Sequence, residues 1–76
     1  MNWEDRIAVD PKVLVGKPVI RNTRIAVEFI LDLLAEGWTR QQILENYPQL
    51  QDDDIRAACR YAAETLKQER VYPLSV

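Results

Sequence analysis

Hydrophobic positions near the start of the chain fall in short runs that turn-forming residues interrupt. Residues 6–9 and residues 19–20 are predicted to form two short strands, because apolar, β-prone residues there are bounded by Pro, Gly and Asn. A turn at residues 16–18 precedes the second strand, and a turn at residues 21–24 follows it. In the later turn, Asn22 is the residue that best tolerates a positive φ.

After these turns the apolar residues repeat about every 3.6 residues instead of every two, which predicts a first helix. Four apolar residues share one face of this helix: Val27, Ile30, Leu31 and Leu34. Gly37 is predicted to end the helix as the residue that follows its C-cap. Phe29 and Leu33 point away from the apolar face, so we expect either the N-terminal strands or a second subunit to cover them.

Two further helices are predicted downstream. Thr39 and Gln42 have the spacing of a capping box, and Pro48 ends the resulting second helix within about two turns. The third helix is predicted to run from near Asp52 to about Gln68. Its apolar face consists of Ile55, Ala58, Cys59, Ala62 and Leu66. A separate basic stripe on the same helix consists of Arg56, Arg60 and Lys67.

These elements predict one mainly α domain over residues 1–76. Strands and turns occupy residues 1–25 and form a short β-hairpin-like element. Residues 26–68 form a three-helix bundle of the helix-turn-helix, homeodomain-like type, because its connections are short. Residues 69–76 form an apolar tail that Pro73 keeps out of the last helix.

The composition indicates a reducing compartment. Among 76 residues there is a single cysteine, so a disulfide within the chain cannot support the small core. Polar residues at positions 4–6 interrupt any secretory leader, and no apolar run approaches the ~20 residues of a membrane span. We therefore expect a soluble cytoplasmic protein without a membrane partner.

Candidate catalytic groups are scarce. The chain has no histidine, which removes the commonest general base and metal ligand. Cys59 is expected to be an inert core residue. Successive helical side chains point about 100° apart, so Asp52–Asp54 are expected to stabilise a helix N-terminus and not to hold a cation. Gly16-Lys17 does not match a phosphate loop. We expect no enzyme activity, cofactor, metal or small-molecule substrate.

Charge leaves nucleic-acid binding open. The net charge of −2 argues against indiscriminate binding of nucleic acid. If DNA is bound, contacts are expected from basic residues of the turns and the stripe: Lys17, Arg21, Arg24, Arg56 and Arg60. In helix-turn-helix proteins the start of the last helix enters the major groove, and here Asp52–Asp54 would oppose phosphates. The basic stripe is thus either a solvated face or a contact surface.

Several motifs resemble a known family. They are Gly16-Lys17-Pro18-Val19-Ile20, Thr23-Arg24-Ile25, Tyr47-Pro48-x-Leu50, Asp54-Ile55 with Ala58, and Tyr61-Ala62. Through them, residues 5–65 resemble the bacterial and archaeal domain-of-unknown-function family numbered 433. Asn22 stands where that family usually has Gly, and Gln51 stands where it usually has a Thr or Ser cap. The resemblance implies a helix-turn-helix-like fold. It also implies a VapBC-type antitoxin, because genes of this family often lie beside a gene for a PIN-like nuclease.

The leading hypothesis is the antitoxin of a toxin–antitoxin pair, which binds and silences a PIN-like ribonuclease and, as a homodimer, binds its own promoter. The alternatives are a stand-alone DNA-binding regulator and a protein-interaction module that does not bind DNA. Candidate partner-binding residues are Phe29, Leu33, Tyr72 and Leu74. The last two belong to the tail, which is expected either to engage the nuclease or to fold back on the helices or the second subunit.

Overall fold

Three helices follow a two-stranded antiparallel hairpin in a computed structural model that describes residues 1–68. The elements are β1 (Ile7–Val9), β2 (Pro18–Ile20), α1 (Val27–Ala35), α2 (Arg40–Asn46) and α3 (Asp52–Gln68). This architecture confirms the predicted fold class, a mainly α helix-turn-helix-like bundle with a short N-terminal hairpin. The predicted tail, residues 69–76 with Tyr72 and Leu74, lies outside the described residues.

The hairpin and the turn after it lead the chain to the start of α1. Ile7 pairs with Ile20, which sets the register of the two strands and directs both side chains to the core. In the following turn Asn22 has a φ of 66°, as predicted. The Thr23 hydroxyl donates to the Ile20 carbonyl at 2.7 Å and accepts from the Ile25 amide at 3.0 Å. These bonds fix the turn that leads into α1.

The connection from α1 to α2 follows from the sequence as predicted. Gly37 has a φ of 94°, a conformation that residues with a Cβ adopt at a cost. The Thr39 hydroxyl accepts from the Gln42 amide at 3.1 Å, and the Gln42 side chain accepts from the Thr39 amide at 2.8 Å. Both bonds of the predicted capping box are therefore present.

The core contains one residue of α1, Leu33, that was predicted to lie outside it. It comprises Ile7, Ile20, Val27, Ile30, Leu33, Ile43, Leu50, Ile55, Ala57 and Ala58. Leu33 is 9% exposed, so the expectation that it points away from the core is wrong. The reason is that β2, α2 and α3 all pack on α1, which widens the buried arc beyond the predicted stripe. Phe29 does lie outward, 37% exposed, with its ring edge-on to Tyr47.

The buried face of α3 is also rotated from the predicted one. Cys59 is exposed and Leu66 is 60% exposed, although both were predicted to face the core. The first residues of the chain pack on α3 instead, with Trp3 edge-on to Tyr61 at 6.3 Å between ring centroids. The buried arc of α3 therefore consists of Asp54, Ile55, Ala57 and Ala58, with Tyr61 partly buried beside it, and Cys59 lies outside it.

Candidate nucleic-acid interface

The start of α3 has a buried carboxylate at its centre. Asp54 is buried, and its Oδ2 accepts from the Gln51 amide at 2.8 Å. This bond is the half of a capping box that the third helical residue makes; Gln51 has no hydroxyl to make the other half. The other carboxylate oxygen accepts from Arg6 Nη1 at 2.9 Å. Asp54 therefore caps the helix and ties it to the N-terminal segment.

Arginines also pair with the other two aspartates of this run. Arg40 at the start of α2 donates through Nε to Asp52 Oδ1 at 2.7 Å. This hydrogen bond lowers the pKa of Asp52 and raises that of Arg40. Asp53 lies 3.7 Å from Arg6 and 3.8 Å from Arg56. Each carboxylate of the run thus has a cationic neighbour. The argument that these aspartates would repel DNA phosphates did not count these arginines.

Three arginines line a shallow depression of about 370 Å³ between the start of α2 and the outer face of α3. We call this surface the arginine face; it consists of Arg40, Arg56, Cys59, Arg60 and Ala63. On α3, Arg56 is three residues before Cys59 and four before Arg60, and Ala63 is three residues after Arg60, so these residues share one side of the helix. Guanidinium groups bind phosphate oxygens through paired N–H donors. This arrangement is chemically suited to binding a polyanion.

The structure brings together two of the five predicted DNA-binding residues, Arg56 and Arg60. Lys17 instead forms an ion pair with Glu28 of α1, whose hydrogen bond raises the pKa of the lysine. Arg21 donates to the backbone carbonyls of Asp5 at 2.7 Å and Ile7 at 3.0 Å, so it braces the hairpin. Arg24 is exposed and has no ion-pair partner within residues 1–68.

The sequence did not predict Arg6 and Arg40 as residues of this site. Arg6 reaches Asp54 across 48 positions, a contact that no local pattern predicts. Arg40 could have been found, because it follows the predicted cap Thr39 directly. The short turn between the second and third helices then returns the chain to the start of α2. An arginine at that position faces the first turn of the next helix, as Arg40 faces Asp52.

Within residues 1–68 no group of three or more His, Cys, Asp or Glu side chains is arranged to hold a metal ion. Among the helices described, none combines the length and apolar character that a membrane crossing requires. The exposed Cys59 contradicts its predicted place in the core.

The fold and the arginine face define a small helix-turn-helix-like domain, and comparison with known proteins assigns its family. A model described as "Protein of unknown function (DUF433)" matches residues 7–62. The chain belongs to the DUF433 family, which confirms the resemblance seen in its motifs.

Two relatives with matching segments are longer than this chain. The uncharacterized protein y4eO of Sinorhizobium fredii (strain NBRC 101917 / NGR234) is 36% identical over 56 residues, which cover 74% of this chain and 25% of that protein. A crystal structure of a DUF433 member protein from Anabaena variabilis ATCC 29413 superposes with a TM-score of 0.78 at 34% identity, over 86% of this chain and 64% of that one. The chain thus spans a quarter of the first relative and under two thirds of the second.

Proposed function

We propose that this chain is the antitoxin component of a toxin–antitoxin pair, which binds and inhibits a PIN-like ribonuclease and binds the DNA of its own promoter. The arginine face is the observation that carries the proposal. The nuclease is inferred from the family resemblance, and charge on α1 supports it. The role is binding and not catalysis.

The position of the arginine face supports contact with the DNA backbone. In helix-turn-helix proteins the second helix of the motif lies in the major groove, while the first crosses the backbone. Here α3 is the second helix and α2 the first. Arg40 lies at the start of α2, Arg56 lies in the second turn of α3, and Arg60 lies at the midpoint of α3. Phosphates that flank a major groove would meet the guanidinium groups of Arg56 and Arg60, and Arg40 could add the N–H donors that its bond to Asp52 leaves over.

Two ion pairs on this face, those of Arg56 and Arg60, are weak enough to be exchanged for phosphate, whereas Arg40 is bonded to Asp52 at 2.7 Å. Arg56 and Asp53 are 3.8 Å apart, and Arg60 and Glu64 are 3.7 Å apart. The arginine side chains are more than half exposed. Exposed ion pairs of this kind typically contribute about 0–1 kcal/mol. Binding to DNA therefore costs little intramolecular stability, and release of counterions from the DNA favours it.

A separate surface on α1 supports binding to a ribonuclease. Phe29, Asp32 and Glu36 follow at spacings of three and four, so they share one exposed side of the helix. We call this surface the acidic face. Neither Asp32 nor Glu36 has an ion-pair partner within residues 1–68. A protein that cleaves RNA presents positive charge to its substrate, and an acidic surface with an aromatic residue complements such charge.

DNA binding is tested with the double variant Arg56→Ala/Arg60→Ala and with DNA from upstream of the chain's own gene. Affinity measured over a series of salt concentrations should fall. The slope of log K against log salt should flatten by about 0.9 for each lost phosphate contact. Lys12→Ala is the matched control, because Lys12 is exposed on a loop outside the arginine face. Equal affinity and slope for the wild type and the double variant would contradict the DNA contact.

Nuclease binding is tested by capture of the native protein from its host, followed by mass spectrometry and an inhibition assay. A PIN-like ribonuclease should be captured, and Asp32→Lys/Glu36→Lys should weaken its binding. Glu45→Lys on α2 is the control, because it reverses an exposed acid away from the acidic face. DNA binding without a ribonuclease partner would favour the stand-alone regulator instead.

A further inference from the structure

The loop between the two strands contains an unfavourable backbone conformation. Leu14, Val15 and Gly16 have φ values of 48°, 56° and 77°, all in the left-handed region. Glycine adopts this region freely, whereas Leu and especially the β-branched Val do so at a cost in free energy. Such conformations persist where the surroundings hold them in place.

Hydrogen bonds hold this loop in shape but do not bury its tip. The Gly16 amide donates to the Val13 carbonyl at 3.1 Å, and the Lys17 amide donates to the Leu14 carbonyl at 3.2 Å. The Val15 residue is nevertheless 94% exposed. Apolar contacts within residues 1–68 therefore do not repay the cost of its conformation. The loop presents an apolar side chain to solvent on a fixed backbone.

An apolar groove begins two residues after this tip. It lies between β2, the start of α1 and the last turns of α3, and its volume is about 350 Å³. Its apolar lining consists of Pro18, Val27, Leu31, Tyr61, Ala62 and Leu66. Lys17 and Glu28 also line it and form an ion pair there. Leu66, at 60% exposed, is the most accessible apolar part of the lining.

We propose that a second copy of this chain covers the groove, with Val15 of each copy inserted into the groove of the other. A two-fold dimer requires a surface that is complementary to itself, and here an apolar projection and an apolar groove are adjacent. The exposed ion pair of Lys17 and Glu28 can exchange partners across such an interface, because the two-fold axis brings Lys17 of one copy towards Glu28 of the other. This interface differs from the one predicted at Phe29 and Leu33, and it goes beyond the proposed antitoxin function.

The area required is compatible with so small a chain. A stable interface takes about 800 Å² from each partner, about a seventh of the 5813 Å² surface of this chain. Val15 and Leu66 supply exposed apolar residues for its centre, and the ion pair supplies a polar rim. Interfaces of standard size have this arrangement of an apolar centre and a polar rim.

The test uses two exposed substitutions and sedimentation of the purified chain at micromolar concentration, without DNA or nuclease. Val15→Asn introduces a residue that tolerates positive φ and removes the apolar projection. Leu66→Glu places a charge in the groove. The wild type should sediment as a dimer, and the dissociation constant of each variant should be about tenfold to a hundredfold higher, because each loses the burial of an apolar side chain. Circular dichroism should show unchanged helix content, and Val15→Gly should repeat the result of Val15→Asn.

Mixing the two variants distinguishes this interface from any other. A Val15→Asn copy keeps an intact groove, and a Leu66→Glu copy keeps an intact projection. The mixture should therefore form heterodimers that hold one of the two original contacts, more tightly than either variant alone. A monomeric wild type, variants that dimerise like the wild type, or a mixture that associates no better than its components would each overturn the proposal. None of these outcomes depends on the antitoxin function.

Discussion

Replacement of Asp54 by Ala should destabilise the domain far more than replacement of the other aspartates in the run. The change removes the bond to the Gln51 amide and the bond to Arg6 together. Loss of a helix cap costs about 1 kcal/mol, and loss of a hydrogen bond to a charged group about 1.5–3 kcal/mol. The second figure is taken at its low end, because the Arg6 side chain is 29% exposed and keeps Asp53 at 3.7 Å. The expected loss is about 2–3 kcal/mol.

Thermal and urea unfolding followed by circular dichroism measure this loss. For a domain of this size about 1 kcal/mol corresponds to roughly 4–8 °C in Tm, so Tm should fall by about 10–20 °C. Asp52→Ala is the control, because both Asp52 and its partner Arg40 are about half exposed; its Tm should stay close to that of the wild type. The Tm of Asp54→Asn should lie between those of Asp54→Ala and Asp52→Ala, because the amide oxygen can still accept from the Gln51 amide. Equal unfolding midpoints for Asp54→Ala and Asp52→Ala would refute the assignment of Asp54 as the buried cap.

Two smaller effects are expected elsewhere. Thr39→Ala removes the capping box of α2 and should cost about 1 kcal/mol in urea unfolding; an unchanged midpoint would show that packing alone holds the start of α2. The hydrogen bond from Arg40 lowers the pKa of Asp52, so its stabilisation is present above the carboxyl's unfolded-state pKa and is lost as pH falls through the lower folded-state pKa. Wild type and Asp52→Asn should therefore differ slightly at neutral pH and converge in acid, and a difference that grows in acid would contradict this sign.

Most of the fold could be predicted from the sequence because caps, turns and helix limits are determined by residues close together in the chain. The capping box at Thr39, the positive φ of Asn22 and the limits of α3 each depend on neighbouring residues. The buried arc of α3 could not be predicted in this way. It depends on Trp3 and Arg6 packing from the far end of the chain, which moves Cys59 to the surface and buries Asp54.

In the candidate site, too, only the features that depend on neighbouring residues could be predicted. Arg56 and Arg60 were found because helical spacing places them on one exposed side of α3. Their grouping with Arg40, and the pairing of all three aspartates with arginines, depend on how α2 and the N-terminal segment pack against α3. The sequence predicts that these aspartates stabilise the start of α3, as Asp54 does, but it does not predict the arginines beside them.

The proposed function is tested most directly by the rate at which the PIN-like ribonuclease captured with this chain cleaves RNA. Addition of the wild-type chain in equal amount should suppress cleavage, and Asp32→Lys/Glu36→Lys should restore it while Glu45→Lys should not. Cleavage at the same rate with and without the wild-type chain would contradict the antitoxin function.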